Sequence, residues 1–271
     1  MKAIINGKSA FAYTGTRDFN AAQPTAVFIH GAANDHSVWA LQSRYFAFHG
    51  WNVLALDLPG HGQSDGPACS TIGDYATWVA AFMDSLPVRP ALAVTVTVVM
   101  GHSMGALTAL ELSARRPDLV DKLALVGVAV PMAVGEVLLD AAKGDEDKAR
   151  RMIVEWSFAT DSQLGNNHAV PGMWLPGNNL ALMRRMQKGV LHNDLAACKA
   201  YSVGLDAAKT VAAPALVVIG ARDMMTSPKG AQGVIAALPN VRVETLADAG
   251  HSLLSEAPGQ VLDVLWRFAN A

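Results

Sequence analysis

Short apolar runs rich in β-branched residues alternate along the chain with longer stretches of helical spacing. The runs predict six strands: TAVFIH (25–30), NVLALD (52–57), VTVTVVM (94–100), LALVGV (123–128), ALVVIG (215–220) and VRVETL (241–246). Most of them are continuously apolar, which is typical of parallel strands covered on both faces. The N-terminal residues MKAIINGKSA predict a further β-hairpin that turns at Asn6-Gly7.

The stretches between these strands have the spacing of amphipathic helices. They are VWALQSRYFAFHG (38–50), DYATWVAAFMDSL (74–86), ALTALELSARRP (106–117) and SEAPGQVLDVLWRFA (255–269). Strands that alternate with helices predict an α/β fold, in which helices cover both faces of a mostly parallel sheet.

One interval breaks this alternation. From Pro131 to Lys209 no convincing strand occurs, whereas residues 136–159 and 180–205 both have helical spacing. The stretch between them, GNNHAVPGMWLPGNN (165–179), is rich in Gly, Pro and Asn and predicts a loop. We therefore expect a core domain made of residues 1–130 and 210–271, with residues 131–209 inserted as a helical lid or cap.

Composition narrows the range of partners. The chain has 271 residues, of which 51% are apolar, and a net charge of −2, so it can bury a large core but offers no basic face for nucleic acid. Its two cysteines lie far apart in the sequence, which predicts neither a disulfide nor a metal site. The uncharged stretch 91–110 changes from β-branched to small residues, which favours a strand, a turn and a helix over a membrane span. The N-terminus lacks a signal-peptide pattern, so a cytoplasmic location is expected.

The strongest chemical signal is Gly101-His102-Ser103-Met104-Gly105, which matches G-x-S-x-G between a predicted strand and a predicted helix. A sharp strand-to-helix turn leaves no room for side chains on either flank, which explains the two glycines. The turn presents the serine hydroxyl at the end of the sheet together with the helix N-terminus. Ser103 is therefore the predicted nucleophile.

A serine nucleophile needs a base, and the base needs a partner that orients it. His251 lies in a Gly-flanked loop between the last predicted strand and helix, which makes it a better candidate than His192 or His61. Asp223 directly follows a predicted strand and is the preferred carboxylate. Asp248 is the alternative, although it lies only three residues before His251.

The order Ser103, Asp223, His251 resembles the α/β-hydrolase fold family. The resemblance covers the chain outside the inserted segment and rests on HGAANDHSVW, DLPGHGQSD, GHSMG, GARDMMTSP and GHSLLSEAP. It implies an eight-stranded sheet, no metal or organic cofactor, and an oxyanion hole formed by the backbone N–H groups of Ala32 and Met104.

The resemblance also implies a reaction: acyl transfer to water from a small to medium, largely apolar ester or lactone. An acyltransferase or perhydrolase using the same residues is the alternative. Carbon–carbon bond hydrolases of the family have a similar layout, but they carry Asn where His102 stands and Trp where Leu253 stands. A further hypothesis is a protein that keeps the hydrolase fold and binds a ligand without catalysing a reaction. Monomer and homodimer both remain open.

The substrate pocket is the least readable part of the sequence. The residues predicted to contact substrate are His36, Trp156, Trp174, Met183 and Leu253. Met173, Leu180 and Met186 have the same apolar character, but Met and Trp at helical spacing also pack in ordinary helix cores.

Overall fold

A computed structural model of the chain describes residues 1–86 and 95–271. Its eight strands are β1 (Lys2–Ile5), β2 (Lys8–Tyr13), β3 (Thr25–Ile29), β4 (Asn52–Asp57), β5 (Thr97–His102), β6 (Lys122–Val126), β7 (Ala215–Gly220) and β8 (Val241–Leu246). They form one sheet in the order β1-β2-β4-β3-β5-β6-β7-β8. The pairs β1/β2 and β2/β4 are antiparallel, and all the other neighbours are parallel. The predicted α/β fold is confirmed.

The strand bounds follow the sequence prediction closely. The hairpin turns at Asn6 and Gly7, which have φ values of 51° and 77°, and its register pairs Ile5 with Lys8. The predicted strand over 94–100 begins instead at Thr97 and extends to His102. Residues 91–94, the first part of the uncharged stretch, lie outside the described residues.

Helices cover both faces of the sheet. In the described residues they are α1 (Ala40–Phe48), α2 (Ile72–Asp84), α3 (Met104–Arg115), α4 (Glu136–Gly144), α5 (Glu146–Ser157), α6 (Thr160–Gln163), α7 (Leu175–Met183), α8 (Val190–Ala200), α9 (Gly204–Thr210), α10 (Pro228–Ala237), α11 (Leu253–Glu256) and α12 (Pro258–Asn270), with 3₁₀ turns at His36–Trp39 and Pro117–Leu119. Side chains alternate across each strand: in β3, Val27 packs toward α2 and α3, whereas Phe28 packs toward α1 and α12.

Helices α4 to α9 lie between β6 and β7, but the two long helices predicted there are wrong in detail. Residues 136–157 form two helices, α4 and α5, because Asp145 interrupts the helix and its carboxylate accepts the Lys148 N–H at 3.0 Å. Residues 180–205 are divided among the end of α7, α8 and the start of α9, with Gly189 at φ 90° before α8. The predicted loop 165–179 contains the start of α7, whose first turn accommodates Pro176.

The inserted helices have an apolar cluster of their own. Four residues from α4, α5, α7 and α8 pack together with Ala33: Leu138, Ile153, Met183 and Leu195. Ala33 belongs to the part of the chain outside the inserted segment, residues 1–130 and 210–271, which we call the sheet domain. Helix α8 also contributes Ala197 and Cys198 to the cluster that contains α3, and α9 contributes Ala208 to that cluster alone. The last helix of the inserted segment (residues 131–209) therefore packs on the core. None of the helices in the described parts of the chain is long and apolar enough to cross a bilayer.

Candidate active site

Ser103 lies on a strained turn between β5 and α3. Its φ of 55° and ψ of −119° belong to a region that residues with a β-carbon rarely adopt. A β-carbon on Gly101 would lie 2.0 Å from the Gly105 carbonyl oxygen, and one on Gly105 would lie 2.2 Å from the Ile29 carbonyl oxygen. Both glycines are therefore required by close backbone approach, as the sequence pattern predicted.

The structure brings Ser103, His251 and Asp223 together at the carboxyl edge of the sheet. His251 Nε2 lies 2.9 Å from Ser103 Oγ, and His251 Nδ1 lies 2.9 Å from Asp223 Oδ2. Because a carboxylate only accepts, Nδ1 carries the proton and Nε2 is free to accept the serine proton. Burial opposes the charged form of Asp223, but His251 and the surrounding donors hold its pKa far below the usual range.

The alternatives weighed from sequence lie elsewhere. The Asp248 side chain is 86% exposed and pairs with Arg222 at 2.8 Å. His61 is fully buried against Asp194, with 2.8 Å between Nε2 and Oδ2. His192 lies on α8. None of the three has a hydrogen bond to Ser103 or His251 in the described structure.

Thr226 is a site residue that sequence reasoning missed. Its hydroxyl donates to Asp223 Oδ2 at 2.6 Å and lies 3.0 Å from His251 Nδ1, while its backbone N–H donates to Asp223 Oδ1 at 2.7 Å. The Met225 N–H donates to the same oxygen at 2.8 Å. Asp223 is therefore held by three donors besides His251. The sequence signal that could have identified Thr226 is its hydroxyl side chain three positions after Asp223.

His102 was also not predicted to act in the site. Its Nε2 donates to the His251 carbonyl oxygen at 2.9 Å, which fixes the backbone of the histidine loop. The proton must therefore be on Nε2, and Nδ1 is a buried acceptor without a hydrogen bond to any described residue. Burial and the nearby His251 lower the pKa of His102 to about 3, so the ring is neutral.

The loop after β3 passes directly over the serine. A β-carbon on Gly31 would lie 3.2 Å from Ser103 Cβ, and Gly31, Ala32 and Ser103 all line the same cavity. The backbone N–H groups of Ala32 and Met104, predicted as the oxyanion hole, donate to no acceptor within the described structure. A tetrahedral oxyanion requires donors of this kind, and the role of these two N–H groups as its donors stays a prediction.

Ser103 opens into a cavity of about 280 Å³ between the sheet domain and the inserted segment. Of the five predicted pocket residues, Trp156 and Met183 line it. Its other apolar walls include Met132, Leu138, Ile153, Leu195 and Met225. Most of the wall is thus contributed by the inserted segment and by the loop after β7.

The remaining three pocket predictions are corrected by the structure. Trp174 is 70% exposed on the inserted segment, away from the cavity. Leu253 is fully buried in the cluster between the sheet and α12. His36 packs against Phe11 and Tyr13, and its Nδ1 lies 2.8 Å from Asp57 Oδ1. Packing and hydrogen bonding thus account for Leu253 and His36, whereas Trp174 lies on the surface.

One cluster in the described residues has metal-ligand types within reach of each other. Ligand atoms of Asp35, His36 and Asp57 lie within 4.8 Å. Asp57 accepts from the His36 N–H, the His36 ring and the Gln63 N–H, and Asp35 Oδ1 accepts from the Ser37 N–H at the start of a 3₁₀ turn. Asp35 Oδ2 lies 3.5 Å from an Arg185 nitrogen. Both cysteines are free thiols.

The parallel sheet, the strained serine turn and the Ser103, His251 and Asp223 arrangement define the class of enzymes called α/β hydrolases. The family model for the alpha/beta hydrolase fold matches residues 24–258, and the chain belongs to this family.

Relatives and solved structures show what the chain is similar to. It is 32% identical over 237 residues, 84% of this chain and 58% of the relative, to a "dihydrolipoyllysine-residue acetyltransferase component of acetoin cleaving system" from Cupriavidus necator. It is 36% identical over 101 residues, 37% of this chain and 36% of the relative, to an "(E)-2-((N-methylformamido)methylene)succinate hydrolase" from Acinetobacter baylyi. These two alignments thus span less than two thirds of each relative. An enol-lactonase from Burkholderia xenovorans LB400 has the same fold, with a TM-score of 0.79 and 24% identity over 100% of both chains.

Proposed function

We propose that this α/β hydrolase cleaves carboxylic esters or lactones of small to medium, largely apolar acids through an acyl-enzyme on Ser103. The hydrogen-bonded chain from Ser103 through His251 to Asp223, with both links at 2.9 Å and the serine open to an apolar cavity, carries this proposal. It supplies a nucleophile, a base in the required tautomer and an orienting carboxylate.

In the first half of the reaction, Ser103 Oγ attacks the ester carbonyl and His251 Nε2 takes the serine proton. Asp223 stabilises the resulting imidazolium through Nδ1–H, and the Ala32 and Met104 N–H groups receive the oxyanion. Collapse breaks the bond to the alcohol, which leaves with the proton from Nε2. Water then attacks the acyl-enzyme by the same base catalysis and releases the acid.

The size and lining of the cavity favour a small to medium, apolar acyl group. Its volume of about 280 Å³ is near the lower end of the range of ligand pockets, about 300–1,000 Å³. The four methionines on its wall, Met132, Met183, Met224 and Met225, are flexible and adapt to different apolar shapes. In this proposal the inserted segment acts as the lid that covers Ser103.

Acyl transfer to an alcohol or thiol is the second candidate. The similarity to a protein named as an acetyltransferase component favours it, although the alignment spans 58% of that relative. Water and another acceptor compete for the same acyl-enzyme, so added acceptor distinguishes the two. Carbon–carbon bond cleavage has less support, because His102 and Leu253 stand where the members of the family with that activity carry an asparagine and a tryptophan.

The first test is hydrolysis of p-nitrophenyl esters from acetyl to dodecanoyl by the wild-type enzyme and by Ser103→Ala. Ser113→Ala is the matched control, since Ser113 is a buried serine on α3, the helix that follows Ser103. We expect turnover and fluorophosphonate labelling in the wild type and in Ser113→Ala, and neither in Ser103→Ala, with acyl chains of medium length preferred.

Two outcomes would contradict the proposal. Labelling or turnover that persists in Ser103→Ala would place the nucleophile elsewhere. Labelling of Ser103 without hydrolysis of any ester or lactone, but with acyl products appearing when alcohols or thiols are added, would favour the transferase.

A further inference from the structure

Asp194 is a fully buried carboxylate on α8, a helix of the inserted segment. It lies on the apolar face of that helix, beside Leu191, Leu195 and Cys198. Three donors from three parts of the sheet domain meet it. They are the Ala33 N–H at 2.9 Å, the His61 ring at 2.8 Å and the Tyr75 hydroxyl at 2.7 Å.

The His61 ring carries a positive charge in this arrangement. Its Nδ1 lies 3.0 Å from the Pro59 carbonyl oxygen and its Nε2 lies 2.8 Å from Asp194 Oδ2. Both partners are acceptors only, so both ring nitrogens must hold protons. Burial by itself lowers the pKa of His61, but the adjacent Asp194 carboxylate raises it overall. Asp194 and His61 therefore form a buried ion pair.

Ala33 connects this ion pair to the serine. Its φ of 51° is in the left-handed region, which a residue with a β-carbon adopts only when its surroundings hold it there. The hydrogen bond from its N–H to Asp194 is a contact that can hold it. The preceding residue, Ala32, supplies one of the two proposed oxyanion donors, and Gly31 lies against Ser103.

We propose that Asp194 is a positioning residue: by accepting the Ala33 N–H, it fixes the loop that aims the Ala32 N–H at the oxyanion, and so couples the inserted segment to transition-state stabilisation. This inference rests on the proposed function of Ser103. Asp194 itself touches neither substrate nor the reacting atoms. Its effect is on the orientation of a donor that acts only when the oxyanion forms.

The test compares Asp194→Leu, Asp194→Asn and Asn193→Leu. Leucine has nearly the shape of aspartate but cannot accept, whereas asparagine keeps one acceptor oxygen for the Ala33 N–H. Asn193→Leu is the matched control, because Asn193 also ties α8 to the sheet domain, through the Cys69 carbonyl oxygen at 2.7 Å, without reaching Ala33.

Two quantities are measured for each variant: kcat and KM for the preferred ester, and Ki for a trifluoromethyl ketone that forms an oxyanion on Ser103. The kcat is expressed per reactive serine, titrated with a fluorophosphonate, so that unfolded molecules are not counted. For Asp194→Leu we expect kcat to fall about 10- to 100-fold with KM little changed, since loss of a whole oxyanion donor costs about 10²- to 10³-fold. The Ki of the ketone should rise by a similar factor. Asp194→Asn and Asn193→Leu should stay within about threefold of the wild type.

A wild-type kcat and Ki per reactive serine in Asp194→Leu would overturn the inference and leave Asp194 with a structural role alone. Equal losses in Asp194→Leu and Asn193→Leu would also overturn it, because general loosening of α8 would then explain both. If Asp194→Leu does not fold, Asp194→Val takes its place, since valine is smaller than leucine and also cannot accept the Ala33 N–H. Absence of wild-type turnover would refute the proposed function, whereas the ketone binds without turnover and still tests the loop.

Discussion

Replacing Asp223 by asparagine tests the direction of the hydrogen bonds that join residue 223 to the His251 ring. Asp223 Oδ1 accepts two backbone N–H groups, those of Met225 and Thr226. The asparagine oxygen must remain at that position, because an amide NH₂ there would face two donors. The Nδ2 group is then forced to the position of Oδ2, opposite His251 Nδ1 and the Thr226 hydroxyl.

The consequence is the wrong histidine tautomer. An amide that donates to Nδ1 requires an Nδ1 without a proton, so the imidazole proton moves to Nε2. A protonated Nε2 cannot accept the proton of Ser103. Serine proteases that lose the carboxylate in this way lose about 10⁴-fold in kcat. That factor corresponds to about 5.4 kcal/mol at 1.36 kcal/mol per tenfold change in rate. We expect a loss of about this size here, since two backbone donors fix the amide orientation.

The assay is p-nitrophenyl ester hydrolysis, with thermal unfolding measured in parallel to show that Asp223→Asn is folded. Asp248→Asn is the matched control, because Asp248 is exposed and pairs with Arg222 outside the site. It should retain wild-type kcat. Asp223→Asn with more than a tenth of the wild-type rate, or a larger loss in Asp248→Asn, would refute the reasoning and assign the orienting role to Asp248.

Three further substitutions give separate tests. Thr226→Val removes the hydroxyl donor to Asp223 and should lower kcat/KM about tenfold, since a hydrogen bond to a charged group contributes about 1.5–3 kcal/mol. Thr226→Ser keeps the hydroxyl and should retain the wild-type kcat/KM. A wild-type rate in Thr226→Val would show that the hydroxyl does not support Asp223. Gly105→Ala places a β-carbon 2.2 Å from a β3 carbonyl oxygen, so thermal melts should show a loss of several kcal/mol or no folded protein, and a wild-type melting temperature would contradict this contact. For His36, burial opposes protonation, but the adjacent Asp57 raises the pKa overall. The pair of protonated His36 with Asp57 therefore stabilises the folded protein below about pH 6.5, and this contribution to the free energy of unfolding is lost as the pH rises through the folded-state pKa of His36. Denaturant unfolding of His36→Gln across pH 6–9 should lack that decline with unchanged kcat, and an unaltered pH slope would refute the ion pair.

The fold and the close approach of Ser103, His251 and Asp223 could be predicted because each depends on local sequence. Ser103 is marked by two glycines that the turn itself requires, and Asp223 and His251 each follow a strand, so the topology brings them to one edge. The interior strands β3 to β7 are nearly continuous apolar runs, so their burial on both faces could be predicted without knowledge of their neighbours in the sheet. Local pattern was sufficient for these positions.

The pocket could not be predicted because it depends on how the inserted helices pack. Trp156 and Trp174 have the same apolar character in sequence, yet one lines the cavity and the other is 70% exposed. Asp194 was missed since its three partners are distant in the chain. A carboxylate on the apolar face of α8 was a signal that a buried partner had to exist.

The backbone of Ser103 has a consequence for how the protein balances rate against stability. At φ 55° and ψ −119°, a β-carbon costs about 1–3 kcal/mol, a large fraction of the stability of an ordinary domain. Glycine at this position would be free of that cost, so Ser103→Gly is expected to unfold at a higher temperature than the wild type while losing the hydroxyl. Selection for stability alone would therefore favour glycine at position 103, and the serine persists there at a thermodynamic expense that the rest of the fold must offset.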